Sequence, residues 1–493
     1  MTKPSGDRAI LSKSTFIRGL QCEKSLYLHK NRPFLRDRLS PEQLAKFSRG
    51  TDVGVYAWDL FPGGVDASPK THFQMAASVK KTAAFIEAGE KVIYEAAFEH
   101  EGVVVALDIL VKEDLGWKAI EVKSSRAISD TYLWDASLQY YVIRGAGLEL
   151  VDFSIAYIDQ AFIKDGPVQP EKLFILENVL PIVLDRQGVV GEKIVRLKEV
   201  IPLKNSPKIP IGPQCHDPYP CDFIGHCWKK VPAGSVFELK CLDEEQKFRY
   251  FENGIVQAAD LPEEELDELS LRQIQSIALG KELADRDKLS DFLGQVKQPV
   301  SLFSWLDFKP AIPIFEGTKP YQPIHYSLAW QNPGKGNEET EIYSAPAFPG
   351  EETLMRLVDI LARTETILVF GVLPDFEVLF QMTKGGTVIQ GKFKNLLDKA
   401  IDISSPFSDG TIVWPQMVRA FTPEDILQSM GKPVITPAGK IKTRLEAALA
   451  IEKLARGNVE EDSETVLRDI EAFHSARLSN LLNLFRILEK LVQ

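Results

Sequence analysis

Asp108, Glu121 and Lys123 stand where charge is unexpected. Asp108 lies in the apolar run VVVALDIL, and Glu121 and Lys123 lie in AIEVKSS. Both runs read as strands, and a turn near Asp114–Gly116 would make them antiparallel neighbours. Residues two apart on a strand share a face, so Glu121 and Lys123 point the same way. Pairing through the turn sets Asp108 close to Glu121. Two carboxylates so placed repel unless a positive charge sits between them. A divalent cation meets that need, because Mg²⁺ takes a few carboxylates and completes an octahedral shell with water. The backbone carbonyl of Val122 could be a further ligand. Lys123 would then stand beside the attacking water and the scissile phosphate, orienting the one and stabilising charge on the other. The chemistry is in-line hydrolysis of a phosphodiester. Glu95, in VIYEAAF, precedes Asp108 by one strand and is a candidate third acid. Gln139, on the following helix, offers an amide for a phosphate oxygen or the attacking water. The bland reading of the same residues is a surface Glu–Lys pair beside an edge-strand Asp.

A second constellation is built from cysteine. Three of the five cysteines, Cys215, Cys221 and Cys227, fall in CHDPYPCDFIGHC. In a chain without secretory features such clustering points to metal before disulfides. Three thiolates leave a four-coordinate site one ligand short, and Cys22 is the candidate for the fourth. A Cys₄ site suits a 4Fe–4S cluster or zinc. His216 or His226 could instead complete a zinc site with three of the cysteines. Cys241 has no partner pattern. A metal joining Cys22 to residues 215–227 would tie the two ends of one domain together, so its loss would loosen the fold.

These residues need elements to hold them. STFIRGLQCEKSLYLHK opens with cap-type residues and keeps Phe16, Leu20 and Tyr27 in helical register. Residues 10–60 are predicted helical with a break at Asn31–Pro33, and 73–89 form another helix. Strands follow over Val92–His100, Val103–Val111 and Trp117–Lys123, then a helix over LWDASLQYYVIRGAG and a strand over LVDFSIAYID. That order implies an α/β domain with a mixed sheet. Residues 200–230 are rich in Pro, Cys and Gly, 240–297 are acidic and helical, and Pro299 marks a seam. A second α/β domain begins near Leu302. The chain closes on an amphipathic helix whose Leu467, Ile470, Phe473, Leu478, Leu481, Leu484, Phe485 and Leu488 recur at three- and four-residue steps.

Length and charge bound the reading. A chain of 493 residues exceeds one ordinary core. Its net charge of −11 argues against a basic coat for nucleic acid. Residues 1–50 nevertheless carry eleven Lys and Arg against four acids, enough for a local phosphate-binding face. No apolar run follows Lys3 and Arg8 to suggest a signal peptide, and none approaches the roughly 18 residues of a membrane span. The expectation is a soluble, cytoplasmic protein with no membrane partner.

Taken together, the acidic and cysteine constellations resemble the PD-(D/E)XK nuclease superfamily in its RecB-like branch, where one N-terminal and three C-terminal cysteines flank the nuclease core. LSKSTFIRGLQCEKSLYL resembles that branch's opening helix, and Asp108, Glu121 and Lys123 match its metal-site motif. Gln139 matches the Gln of the next helix, although the usual Tyr four residues on is Ile143 here. The resemblance implies a restriction-endonuclease-like core, Mg²⁺ or Mn²⁺ at the acids, and a 4Fe–4S cluster on Cys22, Cys215, Cys221 and Cys227. Relatives often carry a His that SRGTDVGVYAWDLFPGG lacks, a gap that Glu95 could fill. EVKSS, LQYYV, FPGGV and LDFKPAIPIFEGTKPYQPIHYSLAW also resemble a bacterial family joining such a nuclease to an RNase H-like exonuclease domain. That domain wants Asp-x-Glu on its first strand for two-metal chemistry. Here Asp307 is followed by Lys309, which would repel the metal, and Glu377 could be a remnant second acid. His474 and Ser475 stand where a further Asp is expected.

The resulting expectation is a metal-dependent DNA nuclease, of exonuclease type, acting on single- or double-stranded DNA. The domains are 1–235 (nuclease with iron–sulfur cluster), 236–298 (helical connector) and 299–493 (RNase H-like, inactive). The alternative is a non-catalytic nucleic-acid-binding or assembly subunit that retains the nuclease fold.

Overall fold

The computed structural model describes residues 11–38, 50, 52–69, 74–332, 339–347, 350–371, 386–417, 421–457 and 462–493. The chain divides into two compact units, one of residues 1–230 with 311–321 and one of 231–310 with 322–493. Both are mixed α/β, the class expected from the alternation of helical and strand patterns.

The sheet of the first unit contains β1 (Leu11–Ser12), β2 (Val65–Asp66), β3 (Val92–His100), β4 (Val103–Lys112), β5 (Trp117–Lys123), β6 (Leu150–Ile158) and β7 (Phe174–Asn178). Its order is β2-β3-β4-β5-β6-β7, with β1 added beside β4. The turn at Glu101–Gly102 folds β4 antiparallel onto β3, and β6 returns parallel to β5. The crossover between β5 and β6 is a helix, as a parallel pair requires. Helices α1 (Lys13–Gln21), α2 (Glu23–Asn31), α3 (Met75–Glu87), α4 (Asp130–Gly145) and α5 (Gln187–Val200) complete the unit. One sheet face packs Val105, Leu107, Ala119, Phe153 and Ile155 against Leu138 and Val142 of α4 and Ile194 of α5. The opposite face gathers Ile109, Ile120, Val122 and Ile158 with Ala311 and Ile312.

One expectation needs correction. Residues 10–60 were predicted to begin in helix, but Leu11 and Ser12 form a strand paired with Val103 and Val104. Two residues are too short for a periodicity to register. Ser12 then caps α1, accepting from the Thr15 amide while the Thr15 hydroxyl accepts from its own.

In the second unit a short pair joins β8 (Leu283–Ala284) to β14 (Ile412–Val413), and the main sheet is built from β9 (Val300–Phe308), β10 (Ile324–Asn332), β11 (Glu339–Ser344), β12 (Thr366–Val369) and β13 (Ala400–Asp402). Its order is β11-β10-β9-β12-β13. The first three strands run antiparallel and β12 and β13 lie parallel to β9. One face is covered by α6 (Glu351–Leu361) and α7 (Gly386–Leu397), through Leu354, Leu357, Ile389 and Phe393. The other is covered by α8 (Arg444–Ala455) and α9 (Ser463–Val492), whose Leu478, Leu481 and Leu484 meet Leu302 and Leu368. Among the described residues no helix is long and apolar enough to cross a membrane.

Candidate functional site

β4 and β5 form a ladder from Lys112↔Trp117 only as far as Ile109↔Ile120. Beyond that point β5 stays with β6 out to Lys123↔Tyr157, while β4 takes up β1. The sheet therefore forks at the next register position, where Asp108 faces Glu121. The Val122 amide, released from the ladder, donates to Asp108 Oδ2 at 2.6 Å. On the other side of β4, Glu95 falls opposite Asp108 between the pairs Tyr94↔Ile109 and Ala96↔Leu107. Glu95 has φ of +52°, a left-handed conformation that an L side chain adopts at a cost of order 1–2 kcal/mol. The inward residues register this break. Ile93, Ala96 and Phe98 all enter one core cluster, as do Val105, Leu107 and Leu110, so the two-residue alternation slips at Glu95 and Asp108 together.

Glu121 is 1% exposed and is held by three donors. Lys123 Nζ lies 2.6 Å and Lys13 Nζ 2.7 Å from its Oε1, and Gln139 Nε2 lies 2.8 Å from its Oε2. Lys123 also reaches Asp135 Oδ2 at 2.6 Å and sits over the Tyr132 ring. Of the residues singled out from the sequence, Glu95, Asp108, Glu121, Lys123 and Gln139 thus meet at the fork. Gln139 is fully buried and its Nε2 donates to Glu121, so it positions that carboxylate.

Two residues of the cluster escaped the sequence reading, Lys13 and Asp135. Lys13 follows β1 directly, and the β1–β4 pairing carries it to the fork. Asp135 lies four residues before Gln139, hence on the same face of α4, and that spacing was the available signal.

Burial lifts the Asp108 carboxyl well above its usual range, and the neighbouring Glu121 adds to the lift. Burial also raises Glu95, to about 7, against the pull of Lys13. Glu121 feels burial too, but Lys123 and Lys13 outweigh it and hold its carboxyl low. For Lys13 and Lys123 burial opposes charge, yet Asp135 and Glu121 overcome it and raise both. Four carboxylates (Glu95, Asp108, Glu121, Asp135) and two ammonium groups make a set whose ionised form carries two uncompensated negative charges. Asp135 Oδ1 and Gln139 Oε1 are buried without a hydrogen-bond partner. A hard divalent cation would answer that charge deficit with oxygen ligands, although among the described residues no three His, Cys, Asp or Glu side chains are grouped to hold one.

Cys22 sits between α1 and α2 with extended backbone, closing one helix and opening the next. Cys215 ends a short turn over Pro213–Cys215 and accepts from the Cys221 amide, and Cys227 ends the turn over Ile224–Cys227. All four thiols line one small recess with Ile209, Pro210, Ile211, Phe223 and Ile224. Burial raises the Cys22 and Cys227 thiols, and the neighbouring thiols raise them further. Arg18 bridges to Asp222, and the Gln21 amide donates to Gln214 O and Tyr219 O, so α1 is pinned to the cysteine loop apart from any metal. Among the described residues no three His, Cys, Asp or Glu side chains converge on a single-ion site. Neither His216 nor His226 lines the recess. Cys241 belongs to the second unit, where Asp267 holds its thiol.

In the second unit Asp307 forms an ion pair with Arg444. Glu377 lies outside the described residues. His474 is buried between β9 and β10, with Nε2 3.0 Å from Ser304 Oγ and Nδ1 2.8 Å from Ser327 Oγ.

Two solved structures are similar over part of the chain. The alkaline exonuclease LHK-Exo from Laribacter hongkongensis is 13% identical with a TM-score of 0.23, covering 39% of this chain and 90% of that one. The protein SSO0001 is 12% identical with a TM-score of 0.20, covering 42% and 82%. No curated protein matches. Residues 304–420 match a domain family of unknown function (DUF2779).

Proposed function

We propose that this protein is a metal-dependent deoxyribonuclease of the PD-(D/E)XK kind, in the RecB-like branch. The observation that carries the reading is the fork: Asp108 and Glu121 side by side, Lys123 alongside, and two negative charges left over. Asp108, Glu121 and the carbonyl of Val122 would hold Mg²⁺ or Mn²⁺. That ion, when bound, supplies Lewis acidity and a nucleophile at neutral pH. Gln139 and Lys13 fix the Glu121 carboxylate. Lys123, fastened to Glu121 and Asp135, keeps its proton and presents a fixed positive charge to a phosphodiester. Glu95 is the third acid. Cys22, Cys215, Cys221 and Cys227 would carry a 4Fe–4S cluster with a structural role. The second unit is read as RNase H-like and inactive, because its strand β9 offers Asp307 already paired to Arg444 and a Lys at position 309.

The test is cleavage of end-labelled single- and double-stranded DNA, with RNA alongside, by anaerobically purified protein in Mg²⁺ or Mn²⁺. Progressive shortening from an end is expected. Lys123→Ala is expected to lower the rate by about 10²–10³ or more with circular dichroism unchanged. Activity surviving in that variant removes the assignment. Broad visible absorbance, lost on Cys221→Ser, is the expected signature of the cluster, and a colourless protein with full zinc content contradicts it.

One observation favours a second reading, a nucleic-acid-binding subunit without cleavage. Lys13 and Lys123 already neutralise much of Glu121. Such a protein would retain DNA in a gel without shortening it at any Mg²⁺ or Mn²⁺ concentration.

A further inference from the structure

Residues 311–321, which complete the first unit, end on Tyr321 beside the end of β5. Tyr321 has φ of +59°, a left-handed conformation that a bulky L residue rarely adopts. A strained backbone of this kind persists only where its surroundings fix it. They do so here. Ala311 and Ile312 are buried in the sheet face of Val122 and Ile158. The Gly317 amide donates to Lys164 O at 2.8 Å, and the Lys164 amide donates to Thr318 O at 3.0 Å. Both ends of the Tyr321 side chain are in use. Its hydroxyl donates to Ser124 O, one residue past Lys123, and the Arg126 guanidinium lies over its ring at 5.6 Å from the centroid.

Arg126 is the informative residue. It is exposed, and among the described residues no carboxylate pairs with it. Arg18, Arg36, Arg144, Arg186 and Arg196 of the same unit are each held by an acid. The positive charge of Arg126 is therefore uncommitted, while its direction is set by the Tyr321 ring. A guanidinium stacked on an aromatic face keeps its in-plane donors available. Lys123 repeats the arrangement on the other side. Its ammonium group turns toward Asp135 of α4 and lies over the Tyr132 ring at 5.0 Å. Tyr321 packs instead with the opposite sheet face, among Val122, Ile109 and Ile158. The end of β5 thus carries two cations, one on either side, each seated on a tyrosine.

We propose that Arg126 binds a backbone phosphate of the nucleic-acid strand, next to the phosphate held at Lys123, and that Tyr321 is its positioning residue. A strand laid across the end of β5 meets Lys123 with one phosphate and Arg126 with its neighbour. Contacts of this kind fix the register of a strand without reading its sequence, and a propped guanidinium loses less freedom on binding than a loose one. The inference rests on the nuclease reading for what Lys123 holds. The contact at Arg126 needs only that a strand binds.

The test is fluorescence anisotropy of the full-length protein with a fluorescein-labelled single-stranded oligodeoxythymidylate, in EDTA, over about 50–200 mM salt. Arg126→Gln is expected to weaken binding by about 3- to 10-fold and to flatten the slope of log affinity against log salt by about 0.7, the share of one phosphate on a single strand. Its melting curve is expected to match that of the parent, because the side chain is exposed. Arg126→Lys keeps the charge and is expected to keep the slope. Tyr321→Leu is expected to weaken binding as well, and the double variant with Arg126→Gln to bind no more weakly than Arg126→Gln alone, because the ring acts only through the guanidinium. In Mg²⁺ or Mn²⁺, Arg126→Gln is expected to raise KM for the strand and leave kcat unchanged. A slope equal to that of the parent in Arg126→Gln overturns the proposal even in a protein that cuts DNA. A flattened slope in a protein that never cuts upholds the phosphate contact and removes the nuclease reading. Losses that add in the double variant overturn the role of Tyr321.

Discussion

Lys13 shows how a single residue can complete a site without belonging to its motif. Its ammonium group and that of Lys123 share one oxygen of Glu121, while burial raises the Asp108 and Glu95 carboxyls. The two lysines thus take up part of the negative charge where a cation would otherwise serve. Lys13→Met leaves Glu121 with one fewer counter-charge. In EDTA this variant is expected to melt lower than the parent, since breaking a buried pair costs about 3–5 kcal/mol. The partial exposure of Lys13, 30%, places the effect below that range. Added Mg²⁺ or Mn²⁺ is expected to raise its melting temperature by more than it raises that of the parent, because a binder of the native state stabilises in proportion to its affinity. An equal rise in both proteins would show that the ion does not share oxygens with Lys13. The Asp, Glu and Lys of the motif were legible because charge in an apolar strand is conspicuous. Lys13 was not, because nothing local distinguishes it from the other ten basic residues of the first fifty. Three of the four cysteines were legible from clustering, and Cys22 only as the candidate for a missing fourth ligand; all four line one recess.

At the level of elements, alternation and helical spacing recovered α3, β3, β4, β5, α4 and β6 of the first unit and α9 of the second. What they missed are features made by pairing at a distance: β1 beside β4, and the slip of alternation at Glu95 and Asp108. α9 illustrates a further limit. Its apolar stripe reads as core packing, yet His474 within it is a fully buried polar link to β9 and β10. Burial depresses the His474 pKa from 6.5 to about 3, with Arg477 and Arg444 pressing the same way. A depressed native pKa means the unfolded chain takes up the proton first. The stability it contributes is complete above pH 6.5 and drains as pH falls toward 3. The expected slope in that window is about 1.36 kcal/mol per pH unit from this one group. His474→Gln keeps a hydrogen-bonding side chain but cannot titrate, so denaturant melts between pH 6.5 and 4 should show a shallower decline. An identical slope in parent and variant would remove His474 from the account.

For the whole molecule, the domain boundaries read from sequence run continuously, whereas the first unit takes up residues 311–321 from far along the chain. Ala311 and Ile312 are buried with Val122, Ile158 and Phe174, and the Tyr321 hydroxyl donates to Ser124 O, one residue past Lys123. No composition shift marks this loan, since PAIPIFEGTKPY reads as an ordinary loop. A protein ending at residue 235 should therefore melt below the full chain. The deficit expected is a few kcal/mol, given roughly 1.5–3 kcal/mol for each large apolar side chain left uncovered. Adding a peptide of residues 309–323 should restore part of it, and a truncated protein as stable as the parent would contradict the loan. The same feature sets an order of events during synthesis. Proteins usually complete their N-terminal portion before the rest has emerged from the ribosome. Here the segment that covers Val122 and meets Ser124 is translated after most of a hundred intervening residues. At about 5–20 residues per second the nascent first unit would wait several seconds, its apolar sheet face bare, for a piece not yet out of the ribosome.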